Sequence, residues 1–260
     1  MPPLHFSFQE FDEEIDAIYK IARSFISLGS FYVLPQLRER LAQIRTAKQG
    51  QPFGWGIPEG QPLITRTSNG DYQPDSKGEH FIYASISCAW EIEPLGYHNL
   101  ASRQTRKFAL RGKASTRVRL FEGDAPESIR ELAMWRMEVG DDKSPGCHFH
   151  VQVLGESNEP PYPHSLPIPR FPSLLMTPMS VIEFVLAELF QDEWKMHAAR
   201  STPEIQRWQP IQRKWIGGLL RWQHDKIMNL SGSPWTSLKG AKPDSDLFLD
   251  TSPYAITKPS

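Results

Sequence analysis

Between Gly146 and Gly155 the chain reads GCHFHVQVLG. On the two-residue period of a strand, Cys147, Phe149, Val151 and Val153 point one way, and His148, His150 and Gln152 point the other. The first set is a core face. The second sets two imidazoles beside a carboxamide. An imidazole changes charge near neutral pH, so it can attack an electrophile, take up a proton or ligate a metal, and a second imidazole can hold its tautomer or supply a proton. Cys147 adds a thiol, but its side chain belongs to the core face.

A basic row precedes this motif. From Arg106 to Phe121 the chain alternates Phe108, Leu110, Ala114, Val118 and Leu120 against Lys107, Arg111, Lys113, Arg117 and Arg119. Arg136 follows on the next strand-like segment. Charge on the outer face of a strand ordinarily serves solvation and edge protection. If these strands share a sheet with the histidines, guanidiniums and imidazoles lie on one surface. Guanidinium donors match phosphate oxygens and imidazole moves protons, a combination that suits phosphodiester or nucleotide chemistry. The expectation is that Arg117, Arg111, Arg136 and Arg119 bind phosphate. His150 acts as nucleophile or general base, with His148 and Gln152 beside it, on a nucleotide or RNA. No cofactor is required for that chemistry. A rival use of the same face is a divalent transition metal held by His148 and His150, with His164, Asp141 or Asp142 from the flanking loops, or His80 or His98 from the ends of the first strand, as further ligands. The plainest reading makes the histidines ordinary polar residues of a half-buried strand, hydrogen-bonded to neighbours such as Glu138 or Ser87.

The run His148-Phe149-His150-Val151-Gln152-Val153-Leu154 resembles the motif of the histidine-triad superfamily, in which three polar positions alternate with apolar ones. Gln at the third polar position is shared with that superfamily's nucleotidylyltransferases and dinucleoside-polyphosphate phosphorylases. The resemblance implies that His150 attacks an α-phosphorus to form a nucleotidyl-histidine, and that Gln152 hydrogen-bonds a phosphate oxygen. It covers these residues alone.

The elements that must position these groups are partly legible. Apolar residues three and four apart predict a helix from about Phe11 to Leu28, with Asp12, Glu13 and Glu14 in its first turn, where they favour the helix dipole. A second helix is expected from about Pro35 to Lys48. From Gly50 to Gly78, Gly, Pro, Ser and Asn predict a long irregular connection with at most a short hairpin. Strands are expected over His80 to Ile92, Arg106 to Phe121 with a bend or bulge at Gly112, Arg130 to Val139, and the histidine segment. Short turn-rich connections imply an antiparallel meander. The proline-rich stretch EPPYPHSLPIPRFP should run extended. Thr177 and Pro178 then mark a helix start. A helical stretch from about Thr202 to Leu230 should kink or split at Pro210 or Gly217–Gly218, and its Trp208, Trp215 and Trp222 form a packing seam.

The fold class expected is therefore α+β: a central antiparallel sheet of at least four strands, N-terminal helices, and a C-terminal helical section packed on one face. Residues 1–230 form one domain, and 231–260 an irregular tail. At 260 residues the chain can bury a large core without disulfides, and its 2 cysteines on apolar strand faces fit a reducing cytoplasm. With 29 basic and 30 acidic residues, global charge neither draws it to nucleic acid nor excludes it. No apolar run is long enough to span a membrane. The alternative to phosphate chemistry is a non-catalytic binding or assembly subunit that docks a protein partner through its proline-rich loops and tryptophan-bearing helices.

Overall fold

The computed structural model describes residues 3–68, 81–96, 106–123, 129–140, 147–154, 170–174, 177–228 and 232–249. Over these residues the architecture is α+β. Strand β1 (His5–Ser7) leads into helix α1 (Phe8–Ile21), two short 3-10 turns and helix α2 (Val33–Thr46). Strands β2 (Phe53–Ile57), β3 (Leu63–Ile64), β4 (Ile82–Pro94), β5 (Lys107–Glu122), β6 (Arg130–Val139), β7 (Phe149–Leu154) and β8 (Arg170–Pro172) follow. Helices α3 (Pro178–Ala198), α4 (Pro203–Met228) and α5 (Pro234–Gly240) complete the order.

The strands form one antiparallel sheet in the order β2-β4-β5-β6-β7-β8, with β3 also pairing to β4 and β1 to β5. Strands β4 to β7 are thus neighbours in space in the order of the sequence, as the meander requires. On one face Ile86, Val118, Met137 and Phe149 join the helices in a single apolar cluster. Its centre is aromatic. Phe6 and Phe11 pack on Trp90, Phe108 and Trp215, with Phe248 stacked on Phe6. Trp208, Trp215 and Trp222 are all buried in α4, so the seam is interior.

Two glycines are required by the backbone. A Cβ at Gly56 of β2 would lie 2.0 Å from the Cys88 carbonyl oxygen of β4, so only glycine lets these strands approach. Gly112 has φ +59, and the register shifts there: Gly112 to Ala114 lie opposite Trp90 alone. The bulge expected at Gly112 is present.

Several expectations need correction. Helix α1 begins at Phe8, capped by Ser7, which moves Glu14 out of the first turn. The Gly50–Gly78 segment contributes β2 and β3, because Trp55 and Ile57 bury against β4 while Gly56 between them permits the close pairing. Helix α4 runs unbroken through Pro210 and both glycines. The irregular backbone lies instead in α3, at Gln191, with φ 35 and ψ −109. The tail is not irregular throughout: Ser233 caps α5, and Phe248 is 1% exposed within the core. The cap at Thr177 is as read, a capping box with Ser180 and Pro178 at the first turn.

Candidate functional site

Pairing of β4 to β7 aligns the polar residues in register rows across the sheet. Ser87, Arg117, Arg136 and Gln152 occupy one row. Ser115, Glu138 and His150 occupy the next. The alternation of each strand carries these residues to the face opposite the aromatic core. Arg117 and Arg136 are thereby direct neighbours, two like charges that need compensation at that distance.

Compensation comes from a hydrogen-bonded network. Arg136 donates through Nη2 to Gln152 Oε1 at 2.9 Å, and Gln152 Nε2 donates to Glu138 Oε2 at 2.9 Å. His150 Nε2 lies 3.1 Å from the same Glu138 oxygen, and its Nδ1 lies 2.7 Å from the Cys147 carbonyl oxygen. Arg136 Nε is 2.9 Å from Glu138 Oε1, yet it makes no aligned hydrogen bond. Arg117 Nη1 pairs with Glu59 Oε2 at 2.6 Å, while its own Nε is a buried donor with no acceptor. Glu59 sits in the turn after β2, its side chain 68% exposed.

The sequence places these groups correctly in relation to one another but not to solvent. His148, His150 and Gln152 are all buried, whereas Val151 is half-buried and Val153 is 45% exposed. On the polar side His150 and Gln152 are taken up by Glu138 and Arg136 of β6, while the apolar side of β7 looks partly into a cleft beneath α3. His148 precedes the strand in a bend, its carbonyl accepting from Gly140 N at 2.6 Å and its ring set edge-on to Phe149. An acceptor faces each nitrogen of His150, so any attack by Nε2 would first require Glu138 to be given up.

The other arginines of the basic row each have a carboxylate partner. Arg111 donates to Glu93 through two nitrogens at 2.7 and 2.9 Å, which holds the Glu93 carboxyl below its ordinary range. Arg119 forms a paired contact with Glu131 and lies over the Phe121 ring. The structure therefore brings Arg117, Arg136, Gln152 and His150 together and gives Arg111 and Arg119 separate ion pairs. His164, Asp141, Asp142, His80 and His98, the further metal ligands considered, lie outside the described residues, as does the side chain of Lys113. Among the described residues no group of three or more His, Cys, Asp or Glu could hold a metal ion. Both cysteines are buried thiols, and burial pushes Cys88 up to about 12 and raises Cys147.

One chemically notable group escaped the sequence reading. Glu14, on the inner side of α1, is fully buried between α3 and α4. Thr177 Oγ1 donates to its Oε1 at 2.6 Å and Gln212 Nε2 does so at 2.8 Å, while Oε2 has no partner. Burial pushes its carboxyl up to about 8, against the lowering effect of the two hydrogen bonds and with help from the negative charges of Glu183 and Glu10. Glu183 on α3 is raised in the same way. The signal available in sequence was a carboxylate on the apolar arc of an amphipathic helix, three residues after Phe11 and four before Ile18.

No protein-family model, no curated protein and no solved structure matches this chain. Among the described residues no helix is long and apolar enough to cross a membrane.

Proposed function

We propose that the protein binds a phosphate-bearing ligand, nucleotide or RNA, at the row formed by Arg117 and Arg136. What supports the reading is the pair itself: adjacent guanidiniums on neighbouring strands, each keeping a buried Nε–H without an aligned acceptor, with Glu59 reaching in from an exposed turn. Buried donors without aligned acceptors are costly, and a phosphate group offers oxygens that can meet them in line. Glu59 then acts as an internal anion that a ligand displaces. In this reading Gln152, Glu138 and His150 hold Arg136 in place, since Gln152 and Glu138 contact it directly and His150 fixes Glu138. Group transfer through His150 would additionally require release of its Nε2 from Glu138.

Calorimetric titration with pyrophosphate, ADP and a single-stranded RNA tests the reading. Arg117→Ala should weaken binding roughly tenfold or more, since a charge-assisted hydrogen bond contributes about 1.5–3 kcal/mol, and should lower the salt slope. Glu59→Gln should tighten binding, because the competing carboxylate is gone. Absence of binding by the unmodified protein, or weaker binding by Glu59→Gln, would overturn the assignment.

A further inference from the structure

Behind the polar row, on the other face of the sheet, a cleft of about 690 Å³ opens between β6 and β7 on one side and α3 on the other. Its volume is that of small-molecule sites, and its walls are mainly apolar. Trp135 and Val151 form the floor, with Val153 and Phe184 of α3 at the rim, 45% and 37% exposed. Helix α3 packs on β4, and among the described residues the β7 side of this face opens into the cleft.

Two features show what the cleft would take. Glu188 is the one ionisable residue in its lining among the described residues. Gln191, also in the lining, is the one non-glycine residue with positive φ among the described residues, and it interrupts the regular backbone of α3 at the cleft wall. An apolar body fits the floor, and a polar head fits the α3 wall. The sign of that head is set by Glu188, which repels a carboxylate and attracts a cation.

We propose that this cleft binds a small amphipathic amine, its hydrocarbon or ring body over Trp135 and Val151 and its ammonium group toward Glu188 and Gln191. The site is separate from the arginine row, so its success or failure leaves the phosphate reading untouched.

Dodecylamine and laurate, matched in chain and opposite in head charge, are the probes, titrated by calorimetry into the full chain below their critical micelle concentrations. Dodecylamine should bind at least tenfold more tightly than laurate. Glu188→Gln should bring the two within about threefold. Val153→Arg, a change at an exposed strand position, should weaken dodecylamine at least tenfold without loss of the cooperative thermal transition. Phe184→Ser, from the opposite wall, should do the same should Val153→Arg fail to fold. Binding of neither probe, equal or tighter binding of laurate, or dodecylamine binding indifferent to both rim variants would overturn the proposal.

Discussion

Replacing Glu14 by glutamine should change how stability depends on pH. The folded chain raises this carboxyl from 4.5 to about 8 by burying it completely. Between those values the folded protein holds a proton that the unfolded chain has released, so rising pH favours unfolding by about 1.36 kcal/mol per unit. Integrated from the acid side, the penalty is about 1 kcal/mol at pH 5, about 3 kcal/mol at pH 7 and about 4 kcal/mol at pH 8, and it levels off above that. Well below pH 4.5 it vanishes. A glutamine side chain at this position would mimic the protonated acid: its carbonyl oxygen accepts from Thr177 and Gln212 as Oε1 does, and its amide replaces an Oε2 that has no partner. The Glu14→Gln variant therefore loses little at pH 5 and gains by about 3 kcal/mol over the parent between pH 5 and pH 8. Urea denaturation of both proteins in half-unit steps over that range reads the difference directly, because other titrating groups cancel. Parallel stability curves would refute the reasoning, showing that Glu14 is ionised in the folded state or reached by water.

Two further substitutions probe the parts of the fold that were unexpected. Gly56→Ala forces a methyl to within 2.0 Å of the Cys88 carbonyl oxygen, so β2 must move off β4. A loss on the order of 3 kcal/mol is expected by chemical denaturation, and a wild-type midpoint would show that the strands do not pair closely. Phe248→Ala removes a ring stacked on Phe6 and set edge-on to Phe149, and should cost about 3–5 kcal/mol. An unchanged thermal midpoint would place this segment outside the core.

The strands β4 to β7 were legible because each buries one face, so alternation in the sequence mirrors alternation in space. Their order was legible because the sequences joining β5 to β6 and β6 to β7 are short and rich in turn formers. Two-residue periodicity assigned His150 and Gln152 to the face opposite Phe149 and placed Arg136 between them and Arg117, as the register has it. It carried no information about whether that face is covered, and the burial of His150 depends on neighbouring chain segments. Strand β2 was hidden because its core residues, Trp55 and Ile57, alternate with glycines that signal turns in isolation. Glu14 lies three residues after Phe11 and four before Ile18, on the same arc as both, but nothing local signals the Thr177 and Gln212 donors, 163 and 198 residues away, that receive it in the interior. The carboxylates that neutralise Arg111, Arg117 and Arg119 come from β4, the turn after β2, and β6. Such long-range pairings leave no local trace.

The packing of β1 against the segment around Phe248 bears on the order in which this molecule can assemble. His5 donates its main-chain N–H to Ser245 O, and its ring pairs with Asp246 across 241 residues. Compared with the Asp12–Arg38 contact across 26 residues, closing that loop costs about 2 kcal/mol more in chain entropy. Helix α1 likewise waits for Thr177 and Gln212 before Glu14 has any partner. Phe6 and Phe11 meet Trp90 and Phe108 early in synthesis, but Trp215 and Phe248 reach them only after more than a hundred further residues, so part of their surface stays available to chaperones or to other nascent chains until then.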